Sequence, residues 1–322
     1  MADILLGIDL GGTQVKAAAV TLEGAVAGHD VRPTPAEQGP DAVADVMAAS
    51  ARAALQAAGG PKVRAAGIGA PGPMNWQTGV VFSPPNLADW HNVPLAEMMR
   101  ARLGVPCFVD NDANLACYGE FTSGAGRGVQ DMCLLTLGTG VGGGIVAFGR
   151  LLRGIDGTAA EIGHITVQRD GRRCGCGARG CLEAYASVTG LVHTAIEGIE
   201  SGSGSSLIAA CNGNLHAITG KMVSDEAARG DAFARWAVEE TGDWIGVGIA
   251  SLINLLNPEK IVIGGGMIAA GDLLMNSIRK RAKKDAFEVP AKRAQIVVAE
   301  LGEGAGVIGA AMAARERQAG LA

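Results

Sequence analysis

The chain has 322 residues, 48% of them hydrophobic and 4% aromatic, with a formal net charge of -5. A length of that order supplies one large or two ordinary domains, about 100–200 residues each. Glycine is in excess, 49 residues or roughly 15% against a usual ~7%, yet it clusters at the ends of apolar runs, which excludes fibre, coiled coil and disorder. The net charge makes nucleic acid a poor partner on electrostatic grounds. Met1-Ala2-Asp3 lacks the basic start of a signal peptide, and Asp9 interrupts the first apolar stretch. The uncharged, apolar window Met132 to Gly149 reads as two strands and a turn and predicts no membrane span. Seven cysteines, an odd number, point to a reducing, cytoplasmic compartment.

In chain order, Ile4 to Ile8 and Val15 to Val20 are apolar runs flanking Gly11-Gly12-Thr13, a predicted hairpin. Asp41 to Ala58 has helical spacing and is stopped by Gly59-Gly60-Pro61. A strand over Val63 to Ile68 runs into the rigid turn Ala70-Pro71-Gly72-Pro73, and a helix follows from Pro94 to Leu103, with proline at its start. Cys107 to Val109 is a short strand entering Asp110-Asn111-Asp112, after which a helix begins. The pattern then restarts. Met132 to Leu137 and Gly144 to Phe148 are strands around Gly138-Thr139-Gly140, and Lys260 to Ile263 repeats half the unit before Gly264-Gly265-Gly266. Ser201 to Ser206 is expected as a flexible loop tip. Asp231 to Leu256 predicts a long buried helix closed by Pro258, Gly271 to Ala286 a helix, Gln295 to Ala299 a strand and Gly306 to Arg317 a terminal helix. Alternating strands and helices predict an α/β protein, and the repeated hairpin two related halves.

A turn after a strand exposes successive backbone N–H groups that can cradle phosphate oxygens. Thr13 and Thr139 add hydroxyls, and Lys16 a mobile cation. One such turn alone reads rather as an ordinary hairpin; two of the same design favour a polyphosphate. Gly67-x-Gly69-x-x-Gly72 and Gly138-x-Gly140-x-x-Gly143 both satisfy G-x-G-x-x-G. The dinucleotide reading needs a helix to start inside the motif, and neither continuation supplies one.

Cys174-Gly-Cys176-Gly-x-x-Gly-Cys181, ten residues after His164, offers three thiols and one imidazole, a known structural zinc set. Its rivals are a disulfide, disfavoured in cytosol, and unpaired core cysteines. Cys107, Cys117, Cys133 and Cys211 read as small buried residues. Asp112, at a strand-to-helix junction, taken alone reads as a helix cap. Glu161 and Glu183 flank the zinc set and either orient its histidine or accept hydrogen bonds from substrate hydroxyls.

Asp9-Leu-Gly-Gly-Thr, Asn111-Asp112-Ala-Asn114, Glu161-x-Gly-His164 and the cysteine motif ending in Leu-Glu183 together resemble the ROK family of bacterial sugar kinases and related repressors, over about residues 4–315. The resemblance implies an actin-like (ribonuclease H-like) duplicated ATPase fold, two lobes around a cleft with a structural zinc loop. It places a small lobe at 1–117, with the terminal helix at about 305–322 packing back on it, and a large lobe at 118–304 containing the zinc loop 164–181. It implies Asp112 as general base, and Asn111, Glu161, His164 and Glu183 as sugar ligands, with Gly72 and Asn86 as weaker candidates. Gly11, Gly12, Thr13 and Lys16, with Gly138, Thr139 and Gly140, would face the phosphates of Mg-ATP, Gly264, Gly265 and Gly266 the adenosine, and Asp9 the magnesium. Zinc would be held by His164, Cys174, Cys176 and Cys181.

The cysteine form and Pro84-Pro85-Asn86-Leu87 resemble the bacterial glucokinases most, implying ATP-dependent phosphorylation of glucose at its 6-hydroxyl. Kinases for another hexose or N-acetylmannosamine, and a non-catalytic sugar sensor, are the alternatives. The repressors carry a DNA-binding domain before the first motif, which here starts at residue 9. A cytoplasmic homodimer without nucleic acid or membrane as partner completes the expectation.

Overall fold

A computed structural model describes residues 3–84, 87, 89–155 and 157–320. The elements are β1 (Ile4–Leu10), β2 (Gln14–Thr21), β3 (Val26–Pro33), α1 (Gly39–Ala57), β4 (Val63–Ala70), β5 (Met74–Asn75), β6 (Val80–Val81), α2 (Leu95–Leu103), β7 (Cys107–Asn111) and α3 (Asp112–Ser123). There follow β8 (Met132–Leu137), β9 (Val141–Ala147), β10 (Arg150–Leu151), α4 (Glu183–Ala186), α5 (Val188–Glu200), α6 (Leu207–Ala210), α7 (Gly220–Ala228) and α8 (Ala232–Leu256). The chain closes with β11 (Lys260–Gly264), α9 (Asp272–Asp285), α10 (Glu288–Arg293), β12 (Gln295–Val298) and α11 (Ala305–Gln318). Among the described residues no helix is long and apolar enough to cross a membrane.

The chain divides into two compact units, one of Met1–Met132, Gly144–Ala160 and Ala299–Ala322, the other of Cys133–Gly143 and Glu161–Val298. The first sheet has the order β3-β2-β1-β4-β7, and the second has the matching order β10-β9-β8-β11-β12. Corresponding order in two sheets is the structural form of the repeat in the sequence. In the first sheet β1 pairs antiparallel with β2 and parallel with β4, which pairs parallel with β7.

Strand β1 is apolar on both faces, as expected of a strand covered on both sides. Ile4, Leu6, Ile8 and Leu10 share a core with Val43, Met47, Ala51 and Ala54 of α1. The other face takes α11 at very close range. A Cβ on Gly7 would lie 1.8 Å from the Val307 carbonyl oxygen, and one on Gly67 1.8 Å from that of Ala310. Part of the glycine excess therefore buys backbone-to-helix packing, a role the composition did not announce.

Several boundaries differ from expectation for identifiable reasons. Strand β9 starts at Val141, three residues early, because Gly142–Gly144 are extended and paired. Edge strand β3 went unpredicted, since its burial alternates weakly and it carries no apolar run. Pro94 caps α2 from outside the helix. The Ser/Gly stretch at 201–206 is an anchored loop, contrary to the flexible tip expected. Ser206 N–H donates to Asp231 Oδ2 at 2.6 Å, Ser205 Oγ to Asp231 Oδ1 at 3.1 Å, and Ser206 Oγ to Glu226. Asp231 also caps α8 through Ala234 N–H at 2.7 Å.

Candidate active site and metal centre

In the first unit, strand register gathers the acids. Asp9 pairs with Gly69, and Gly69 with Asp110, so Asp9 and the Asn111-Asp112 junction lie at the carboxyl ends of β1 and β7, the parallel strands on either side of β4. That is where open α/β sheets bind ligands. Gly69 lies between them: a Cβ there would touch both Asp9 Oδ1 and Asp112 Cα at 3.5 Å. Gly306 opens the other flank, its Cβ position 3.0 Å from Asp9 Oδ2. Burial pushes the Asp9 carboxyl above its ordinary range, and the Lys16 charge opposes that shift. A buried carboxylate of this kind gains from a cation.

The first glycine turn is closed by hydrogen bonds. Gly11 N–H donates to Gln14 O at 2.9 Å, Thr34 Oγ1 to Gly11 O at 2.7 Å, and Thr34 N–H to Thr13 O at 2.9 Å. Thr34 was not legible in sequence, because it follows the unpredicted β3. Lys16, expected as a phosphate cation, has its Nζ 2.8 Å from Glu303 Oε2 on an 89% exposed side chain. Gly72 takes a positive φ of 81° in the turn after β4. Asn86 lies outside the described residues.

The cap reading of Asp112 is corrected by its neighbour. Asn111 Oδ1 accepts the N–H groups of Ala113 and Asn114 at 3.0 and 3.2 Å and is the N-cap of α3. Asp112 is the first helical residue, and its Oδ1 accepts Ala113 N–H at 2.8 Å. The ordinary structural job at this junction is thus done by Asn111.

In the second unit, Gly138-Thr139-Gly140 links β8 to β9, with Gly138 N–H donating to Gly140 O at 3.0 Å. Two residues the sequence did not flag hold this turn: Val188 N–H donates to Gly138 O at 2.9 Å and Thr189 Oγ1 to Thr139 O at 2.9 Å. Glu183, at the start of α4, accepts Val141 N–H on Oε2 at 2.9 Å, while its Oε1 lies 3.5 Å from Cys174 Sγ. One carboxylate therefore touches both the glycine turn and the cysteine loop. Glu161 is exposed and precedes the single turn Ile162–His164, whose Gly163 packs against the Val141 carbonyl oxygen. Gly264 ends β11, and Gly265, at φ 93°, abuts Leu137 before Gly266 opens into free space.

His164, Cys174, Cys176 and Cys181 converge, their ligand atoms all within 4.8 Å of one another. The Cys174 Sγ to His164 Nδ1 and Cys176 Sγ to Cys181 Sγ separations are both 3.7 Å. Zn–S bonds of about 2.3 Å and Zn–N bonds of about 2.0–2.1 Å in a tetrahedron put ligand atoms roughly 3.5–3.8 Å apart, so the set fits zinc. Burial pushes the Cys174 thiol up to about 12; a bound dication reverses such a shift and stabilises the thiolate. No disulfide joins any of the seven cysteines, all of which lie within the described residues, and Cys107, Cys117, Cys133 and Cys211 are buried as expected.

Comparison with known proteins places this geometry in a class. The ROK family model matches residues 5–317. The chain is 38% identical over 316 residues to a glucokinase of Thermotoga maritima, covering 98% of each chain, and 39% identical over 316 residues to a glucokinase of Streptomyces coelicolor, covering 97% of this chain and 98% of that one. The crystal structure of a ROK family glucokinase from Streptomyces griseus in complex with glucose and AMPPNP superposes with a TM-score of 0.81 at 37% identity, covering 97% of this chain and 99% of that one. Xylose repressors and an N-acetylmannosamine kinase are also among its relatives. The protein belongs to the ROK family. Its two mixed α/β lobes are those of the actin-like ROK fold, and its His/Cys₃ cluster is consistent with the family's zinc motif.

Proposed function

We propose that the protein is an ATP-dependent sugar kinase that transfers the γ-phosphoryl group to the 6-hydroxyl of glucose. The observation that carries the reading is the Asn111-Asp112 junction: Asn111 is the N-cap of α3, and Asp112, whose Oδ1 accepts Ala113 N–H, lies across Gly69 from Asp9 at the strand ends. The Streptomyces griseus relative was solved with glucose and AMPPNP, which supports the choice of both substrates.

Asp112 takes the proton of the 6-hydroxyl as that oxygen attacks the γ-phosphorus in line. The new O–P bond forms as the bond to the ADP oxygen breaks, leaving ADP, sugar 6-phosphate and a proton. Phosphoryl transfer needs positioning and charge stabilisation more than covalent help. Asn111, Glu161, His164 and Glu183 bind the sugar hydroxyls, with Gly72 and Asn86 as further candidates. Gly11, Gly12, Thr13, Lys16, Gly138, Thr139 and Gly140 bind phosphate oxygens, and the turn Gly264-Gly265-Gly266 lies beside the adenosine, with open space at Gly266. Asp9 would hold magnesium, which when bound neutralises charge on the β- and γ-oxygens. His164, Cys174, Cys176 and Cys181 would hold zinc as a structural cross-link that fixes the loop carrying the sugar ligands. Acceptor-only carboxylates such as Glu161 and Glu183 suit a hydroxyl-rich ligand.

A coupled assay of ADP release over a panel of sugars tests the proposal. Glucose-dependent turnover is expected. Greater kcat/KM with N-acetylmannosamine would reassign the substrate, and sugar binding without ADP release would favour the sensor reading.

A further inference from the structure

Immediately before the proposed base lies a charge arrangement that no chemistry described so far uses. Asp110 is 4% exposed and Arg153 7%, and Arg153 Nε donates to Asp110 Oδ2 at 2.6 Å. The other oxygen, Oδ1, accepts Asn111 N–H at 2.8 Å and Asn114 Nδ2 at 3.3 Å. One buried carboxylate thus grips the residues on both sides of Asp112, in the same unit and at the N-terminus of the same helix. Arg153 arrives from the segment after β10, 43 residues along the chain, so the anchor is external to the turn it holds.

The arginine is itself fixed. Its guanidinium lies over the Trp76 ring at 4.7 Å from the centroid, and the Arg317 guanidinium of α11 lies over the same ring at 5.0 Å. Arg317 Nη1 donates to the Trp76 carbonyl at 2.6 Å. Two cations around one indole and a single carboxylate are a poor way to gain stability. A buried ion pair seldom outperforms apolar residues of the same volume, and here Arg153 Nη2 and Asn114 Oδ1 are buried without a hydrogen-bond partner. What the arrangement supplies is direction: three donors fix the Asp110 carboxylate, and that carboxylate fixes the turn.

We infer that Asp110 and Arg153 are positioning residues for phosphoryl transfer, holding the Asn111-Asp112 turn so that the Asp112 carboxylate meets the attacking hydroxyl. The inference rests on Asp112 being the base. Misplacement of a reacting group by about 1 Å costs on the order of 10²-fold in rate, so the pair acts on kcat without touching substrate.

Steady-state kinetics on the full chain test this with Asp110→Asn, Arg153→Met, Arg153→Lys, Asp112→Asn and the double variant Asp110→Asn/Asp112→Asn. The nearly isosteric Asp110→Asn is expected to lower kcat about 10–100-fold while KM for ATP stays within about twofold. Arg153→Lys, which keeps the charge, is expected to retain more kcat than Arg153→Met. Added to Asp112→Asn, the Asp110 substitution is expected to change kcat less than about threefold, because both act through one group. Should Arg153→Met fail to fold, the Asp110 variants carry the test. An Asp110→Asn enzyme with kcat within twofold of wild type, or an equal fold-loss in both backgrounds, overturns the positioning role and leaves the kinase intact. Failure of the underlying reading is visible separately, as wild-type protein that releases no ADP with any sugar or an Asp112→Asn enzyme that turns over normally.

Discussion

The two units present the same device, a glycine turn after a strand, but they hold the acids beside it by different means. In the first unit Asp9 and Asp112 stand on β1 and α3, and their places follow from strand register, a helix cap and the Asp110–Arg153 pair. In the second unit Glu161 and His164 sit in a loop whose regular structure amounts to one short turn and the isolated bridges Thr166↔Cys181 and Arg173↔Arg179. Backbone hydrogen bonds order the first constellation. The second is held by loop-to-loop backbone bonds, such as Val167 N–H to Gly180 O and Cys174 N–H to Ala178 O, and its three thiols and imidazole within 4.8 Å of one another are placed for a metal cross-link.

The sharpest break in that comparison is the largest expected effect. Asp112→Asn should lower kcat about 10²–10⁴-fold, the usual contribution of a positioned base, and leave glucose affinity by calorimetry nearly unchanged. Turnover near the wild-type rate would remove the base from the first unit. For the second unit, metal analysis should find about one zinc per chain. Cys174→Ser should lose the metal and weaken glucose binding on the order of 10–100-fold, with proteolysis opening at Arg172, Arg173 and Arg179. A protein with less than half an equivalent of zinc and full activity after that substitution would show that the loop orders itself.

This difference also explains what could be read beforehand. The hairpin, the strand ends, the long helix α8 and the cysteine set all announce themselves through period, glycine punctuation or spacing, and the structure bears them out. Asp110 and Arg153 were silent because their partnership is a tertiary event across 43 residues. Thr34 and Thr189, which close the two glycine turns, were silent because a threonine's hydrogen bond to a distant carbonyl leaves no local pattern. The stretch from Glu183 to Ala228 is harder to read, since three of its four helices, α4, α6 and α7, have only 4, 4 and 9 residues.

Glycine itself divides along the same line, and substitution can separate the classes. Gly265 combines φ 93° with a Leu137 carbonyl oxygen 2.3 Å from any Cβ, so it is a packing glycine. Gly265→Ala should lower unfolding free energy by about 1–3 kcal/mol from backbone strain alone, measured by urea denaturation. Gly138 has nothing within 4 Å of its Cβ position. Gly138→Ala should therefore leave the denaturation midpoint in place and raise KM for ATP. Equal destabilisation by both would assign the second turn a purely structural role.

The smallest effect concerns the part of the second unit that orders a loop without a metal. Burial alone would raise the Asp231 pKa, but the N–H groups of Ala234 and Ser206 outweigh it, and the carboxyl titrates below its ordinary value of 3.8. A folded pKa below the unfolded one means the native state binds fewer protons. The stabilisation is therefore complete above the unfolded pKa and is lost as pH falls through the folded one. Asp231→Ala removes the cap of α8 and both serine anchors, and should cost about 0.5–2 kcal/mol at pH 7. The gap between wild type and variant should hold constant down to about pH 5 and narrow below about pH 4, as protonation of the wild-type carboxyl weakens the same bonds. A gap independent of pH through that range would mean the serine loop is held by Glu226 and by packing, and that charge on Asp231 contributes nothing to it.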